Sequence, residues 1–285
     1  MTSVSYGFQA AQQHASYTSI AALWREADDL PVFQHSWLFD HLNPVTGPPG
    51  GGCLEAWTLL SALATQTRRV RLGVLVSGNS YRHPVVLAQM LATVDHIAGG
   101  RVDFGFGAGW HEEEHLRAGI TLHPPAARLA RWAEACEVVR RLCTEPAVTF
   151  QGRHYQLTDA RIAPRPERRP TFVLGAGGTR ALEVVARYAD VWNVAGGHLT
   201  GLRAKRDALR EHCRRYGRDP DEIALSSQIP VDAKDLSSTR SWLVRHLAAG
   251  VRHVVFELPS PWPPGILTRL VDDVIAPIER SELDR

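Results

Sequence analysis

Residues 40 and 41 set acid and base chemistry side by side. In Phe39-Asp40-His41-Leu42-Asn43-Pro44 a carboxylate precedes an imidazole that titrates near neutrality. Such a histidine can exchange a proton with a reacting group while Asp40 orients it, although a loop-anchoring hydrogen-bonded pair accounts for the same two residues. Two glycine loops offer a second chemistry. Gly105-Phe106-Gly107-Ala108-Gly109-Trp110 and Gly175-Ala176-Gly177-Gly178-Thr179 let backbone N–H groups approach a phosphate, and Thr179 is placed to cap a helix whose N-terminus favours anions. Neither is a dinucleotide fingerprint: the first lacks the third glycine, the second has Arg180 there, and neither lies in an N-terminal βαβ unit. Tight strand-to-helix turns are the competing explanation. His111-Glu112-Glu113-Glu114-His115 matches H-E-x-x-H, which on a helix would present two imidazoles to zinc, with Glu112 as base and Glu134 a conceivable third ligand. The acidic residues between the histidines, and Gly109 and Gly119 on either side, favour a solvated first helical turn instead, so no metal is expected. No nucleophile elbow or Walker A loop is present.

The elements that must position these residues alternate. Short β-branched runs at 4–9, 32–39, 70–77, 102–106, 171–174, 191–194, 223–231 and 253–258 are interleaved with helical periods at 16–29, 55–67, 84–98, 126–143, 179–189, 199–216, 236–249 and 265–278. Eight of each predicts a (β/α)8 barrel, with Gln151-Gly152 turning an inserted hairpin over 148–157. Pro84 suits a first helical turn, and Gly99, Gly217 and Gly250 suit helix ends. A barrel carries its chemistry at the carboxyl ends of its strands. After strand three, Val74, Leu75 and Val76 pack in the barrel, Ser77, Asn79 and Tyr81 reach the mouth, and Tyr81 with Trp110 shapes an apolar pocket.

Length and composition agree with one barrel domain spanning residues 1–285. The 285 residues are 44% hydrophobic, enough for a large core. Thirty-two Lys+Arg against 30 Asp+Glu leave a net charge of +2, too balanced for nucleic acid or an anionic membrane, so a small molecule is the expected partner. Cys53, Cys136, Cys143 and Cys213 lack metal or redox spacing, and residues 1–11 carry no export signal, so a reducing cytoplasm is expected.

Read together, Phe-Asp-His-Leu (39–42), Leu-Gly-Val-Leu-Val with Tyr-Arg-His-Pro (72–84), Asp-His-Ile-Ala-Gly-Gly-Arg-Val-Asp-Phe-Gly-Phe-Gly-Ala-Gly-Trp (95–110) and Arg-Tyr-Ala-Asp-Val-Trp-Asn (187–193) resemble the bacterial luciferase-like monooxygenase superfamily, in its branch using the deazaflavin coenzyme F420. The resemblance runs from about residue 4 to 260. It implies a barrel whose mouth holds the F420 or FMN ring. A strand-three bulge near Val74-Leu75, which in the family can contain a non-prolyl cis peptide, would back the ring with Val74, Leu75, Val76 and Ser77. Gly107, Ala108 and Gly109, with Gly175, Ala176, Gly177, Gly178 and Thr179, match positions that hold the phosphate tail, and His41 matches the histidine beside the reactive carbon. The glucose-6-phosphate dehydrogenases of this branch have Glu directly after the strand-four glycines and Trp shortly after Asp-His. This chain has Trp110 and Val45, which argues against sugar-phosphate oxidation.

The resulting expectation is a cytoplasmic, homodimeric F420-dependent oxidoreductase moving a hydride between deazaflavin C5 and a small organic substrate. His41 is acid/base, Asp40 orients it, and Asn79, Tyr81 and Trp110 line the substrate pocket. The alternatives are a monooxygenase using reduced FMN and O₂, and a non-catalytic flavin-binding protein. A separate flavin or F420 reductase would supply reduced cofactor.

Overall fold

The computed structural model describes residues 4–48, 50–194 and 197–283. The reading of residues 1–11 as free of a leader therefore falls partly, at 1–3, outside the described residues. In chain order the first half comprises β1 (Ser5–Ala10), α1 (Tyr17–Asp29), β2 (Phe33–Leu38), α2 (Ala56–Gln66), β3 (Arg71–Gly78), α3 (Pro84–Ala98), β4 (Val102–Gly107), α4 (Glu112–Ala118) and α5 (Pro125–Thr144). A hairpin of β5 (Val148–Gln151) and β6 (Gln156–Ala160) follows. The second half comprises β7 (Phe172–Gly175), α6 (Leu182–Tyr188), β8 (Val191–Val194), α7 (Leu202–Arg215), β9 (Ala224–Pro230), α8 (Leu236–Ala248), β10 (His253–Leu258) and α9 (Ile266–Leu270), which runs through a π turn into α10 (Ala276–Leu283).

Eight parallel strands close in the order β1-β10-β9-β8-β7-β4-β3-β2, which is the expected (β/α)8 barrel. α3 shows how the sequence builds one unit. Pro84 opens it, the His83 ring accepts from the Val85 amide at 3.3 Å, and Leu87, Ala88, Leu91 and Ala92 turn a buried stripe inward. Gly99, at φ 62°, supplies the left-handed end that a side chain would resist. Gly217 and Gly250 are left-handed in the same way after α7 and α8.

Two helix starts differ from the periodicity. α6 begins at Leu182, after a turn in which the Ala181 amide bonds the Gly178 carbonyl at 3.0 Å, so Thr179 caps nothing. α7 waits for Gly201, whose φ of 70° ends the preceding loop. The hairpin is tied down by Glu134, whose carboxylate accepts the amides of Arg153, His154 and Tyr155 at 2.8–3.0 Å and so is no zinc ligand. All four cysteines are free.

The apolar core has two parts. Phe8, Phe33, Phe104, Phe172 and Phe256 pack in the larger cluster, where Phe8 meets Trp24 of α1. A smaller cluster joins Trp37, Leu75, Val173, Val191 and Val255. Beside it His35 and His253 stack with ring centres 3.9 Å apart, and Gly7 makes room, since a Cβ there would lie 1.8 Å from the His35 ring. No helix among the described residues is long and apolar enough to cross a membrane.

Candidate active site

β3 breaks its ladder with β4 between Val74 and Ser77, leaving one extra residue there, and the Leu75–Val76 peptide is cis. Gly105 faces this bulge so closely that a Cβ would meet the Val74 carbonyl oxygen at 2.0 Å. Val76 packs toward Gly107 and Gly175, where added Cβ atoms would lie 2.6 and 3.3 Å from its methyls. These glycines serve close packing, whereas Gly177 and Gly178 have open space where a side chain would be. From β1, the strand beyond β2, the Gln9 amide donates to the Leu75 carbonyl at 2.7 Å, and Gln228 donates to Gln9 at 2.7 Å.

The loop after β2 carries His41. Its Nδ1 lies 3.0 Å from Oε2 of Glu114, whose other oxygen accepts the amides of Leu42 at 2.6 Å and Asn43 at 3.0 Å. The Tyr81 hydroxyl also donates to Glu114. Burial alone would raise the Glu114 pKa, but the bonds from His41, Tyr81 and the Asn43 amide hold it down to about 2. A carboxylate on Nδ1 fixes the neutral tautomer with Nδ1 protonated. Nε2, which has no partner among the described residues, is then left to accept a proton.

Asp40 is therefore not the residue that orients His41. Its carboxylate is taken by the Arg82 guanidinium, at 2.7 and 3.0 Å, and by the Gly78 amide at 2.9 Å. Arg82 reaches on to Glu55 at 2.5 Å, joining the loops after β2 and β3 to the start of α2. The H-E-x-x-H run is split rather than solvated. Glu112 and Glu113 are exposed, while Glu114 is 2% and His115 is 1% exposed. His111 caps α4 by accepting the Glu114 amide, and His115 holds Ser80 at 2.6 Å and the His111 carbonyl at 2.7 Å. No group of three metal-binding side chains exists among the described residues.

A cavity of about 730 Å³ opens at the carboxyl ends of the strands. Asp40, His41, Leu75, Val76, Tyr81 and Trp110 line it, as do Gly107–Gly109 and Gly175–Gly178. Four expected residues do not. Val74 is buried among the helix-facing core, and Ser77 accepts from the Trp57 indole at 3.1 Å. Thr179 is exposed outside the cavity. Asn79 accepts from Tyr155 of the hairpin at 3.4 Å and lines a separate cavity of about 280 Å³. Trp110 is 66% exposed at the mouth, edge-on to His41.

Sequence reading passed over Glu114, Arg128, Arg180, Gln228 and Glu257, the last four of them also in the cavity wall. Gln228 and Glu257 lie near the carboxyl ends of predicted strands, where the barrel rule alone could have found them. Arg128 and Arg180 have no carboxylate partner among the described residues, and Trp132, also lining the cavity, has a buried indole N–H without an acceptor among them.

The chain is similar to known proteins in sequence and in fold. A family model described as luciferase-like monooxygenase matches residues 2–255. An F420-dependent glucose-6-phosphate dehydrogenase of Kineococcus radiotolerans is 31% identical over 252 residues, covering 86% of this chain and 72% of that protein. A 5,10-methylenetetrahydromethanopterin reductase of Archaeoglobus fulgidus is 26% identical over 253 residues, 87% of this chain and 69% of that one. A solved F420-dependent secondary alcohol dehydrogenase, in complex with an F420-acetone adduct, superposes with a TM-score of 0.85 at 18% identity. It covers 96% of this chain and 99% of its own, a likeness of fold.

Proposed function

This chain belongs to the luciferase-like monooxygenase family, and on that premise we propose that it is an F420-dependent oxidoreductase acting on a small organic substrate, with His41 as its acid and base. The observation that carries the reading is His41, held from behind by Glu114 and lining the same cavity as the Leu75–Val76 bulge. The names of the relatives at 26–31% identity support F420 over FMN.

The residues present fit such a coenzyme. The bulge offers Leu75 and Val76 as an apolar wall for a flat ring, while the open edge at Gly177 and Gly178, with the unpaired Arg128 and Arg180, suits an anionic tail. When bound, F420 supplies the hydride donor or acceptor. Protein groups manage the proton. His41 Nε2 takes it from a substrate hydroxyl in the oxidative direction and returns it to a carbonyl oxygen in the reductive one, and the Glu114 carboxylate stabilises the imidazolium between. Trp110 and Val45 stand where sugar-phosphate oxidisers of the family carry Glu and Trp, so the substrate is taken to be other than a sugar phosphate.

The outer faces of α2 and α3 expose Thr58, Thr65, Val86 and Ile97 and no charged residue over 56–66 and 84–94, which suits pairing with a second copy. A reducing cytoplasm, suited to four free thiols, and a separate reductase to recycle the coenzyme complete the reading. The test is fluorescence-monitored binding of F420 and of FMN to the purified protein, with oxygen uptake measured for each reduced cofactor. Tight F420 binding, weak FMN binding and no oxygen uptake are expected. The reverse preference overturns the proposal.

A further inference from the structure

Charges around the cavity are segregated. Its two unpaired cations, Arg128 and Arg180, lie on α5 and in the turn after β7, beside the glycine edge. In the closed order of strands β9 stands opposite β3 and β10 opposite β4, so the wall facing the bulge and the glycines is built from β1, β10, β9 and β8. That wall presents Gln9, Glu257, Gln228 and Asn193, three amides and one carboxylate, with no Lys or Arg. Gln9 and Glu257 are directly paired in register. The Asp40 charge in the same cavity is cancelled by Arg82, but among the described residues nothing hydrogen-bonds the Glu257 carboxylate.

We propose that Glu257 is the specificity-determining residue of this enzyme. It takes a hydrogen bond from a hydroxyl or ammonium group of an uncharged or cationic substrate and turns away carboxylates and phosphates. The inference rests on the proposed function for one point only, that the coenzyme occupies the bulge-and-glycine side and leaves the opposite wall to the substrate. The rest is electrostatics. Gln9 is turned to the Leu75 carbonyl and to Gln228, and no hydrogen bond joins it to the Glu257 carboxylate among the described residues. Glu257 is exposed on the cavity wall with no cation beside it there, which makes its carboxylate a poor neighbour for a second anion and a good one for a donor. The surrounding cavity wall pushes the Glu257 pKa up. Like-charge juxtaposition in a partly desolvated pocket is an effective means of rejection.

The test uses three probes of one shape, cyclohexanol, cyclohexylamine and cyclohexanecarboxylate, titrated calorimetrically into wild type and Glu257→Gln, each with and without F420. In wild type the carboxylate should bind at least about tenfold more weakly than the alcohol or the amine. In Glu257→Gln the carboxylate should come within about threefold of the alcohol, and the amine should weaken about tenfold, with F420 affinity and melting temperature unchanged. The same ranking in both proteins, or a wild type that prefers the carboxylate or binds none of the three, overturns the proposal. Failure of F420 to bind strikes the proposed function instead, and the ranking of probes on the coenzyme-free proteins still decides the role of Glu257.

Discussion

At His41 the chemistry depends on which ring nitrogen carries the proton, and Glu114, itself buried, decides it through a 3.0 Å contact. Replacing His41 by Ala should lower turnover of the best alcohol substrate by about 10²–10⁴-fold with F420 binding retained. Glu114→Gln keeps the shape but not the charge. It should lower kcat about 10–10²-fold while leaving KM within about threefold, a split that steady-state kinetics will read. Glu114 also links folding to acid. Its folded pKa, about 2, lies below its ordinary 4.5, so its contribution is full above pH 4.5 and is lost as pH falls from 4.5 toward 2, on the order of 3 kcal/mol in all. Adjacency in sequence pointed to Asp40 instead. Successive residues of an extended segment face opposite ways, so Asp40 turns to Arg82 while His41 meets a residue far along the chain.

The β3 bulge shows the same dependence between elements. Gly105→Ala would drive a methyl into the Val74 carbonyl and should cost about 3 kcal/mol or more in urea unfolding, whereas Gly177→Ala meets nothing and should change stability by less than about 0.5 kcal/mol. If the glycine edge receives the coenzyme tail, Gly177→Ala should still weaken F420 binding about tenfold. Most elements were legible in the sequence because buried parallel strands are short, mostly apolar and β-branched or aromatic runs: 191–194 and 253–258 match to the residue. What pattern alone could not yield was set by partners remote in sequence. The bulge depends on β4 glycines and Gln9, the true start of α6 on a backbone turn, and the burial of Glu114 on the β2 loop. Ser77 and Asn79 were expected at the mouth by strand alternation, which the extra residue of the bulge disrupts.

Across the whole molecule two properties should be measurable. On the proposed pairing through α2 and α3, wild type should sediment as a dimer and Val86→Glu with Ile97→Glu on the outer face of α3 as a monomer, with the melting curve of the barrel otherwise preserved. Stability should also fall on mild acidification, because burial holds His35 well below its ordinary pKa and His253 at about 4. Below pH 6.5 the unfolded chain binds protons the folded one refuses, so stability is full above 6.5 and declines below it; for His253 the decline runs toward pH 4 and reaches about 2 kcal/mol at pH 5. Urea midpoints at pH 7 and 5 check this, and His253→Gln should reduce the slope by roughly one proton. The strand order carries a consequence for synthesis. β1, made first, finds one of its two neighbours only in β10, where Ser5 pairs with His253. Until that segment leaves the ribosome β1 keeps an unpaired edge, and both the His35–His253 stack and the Gln9–Glu257 register straddle the open seam. The nascent barrel thus has no closed cavity until β10 has emerged, and the contacts that close it are the longest-range in the chain.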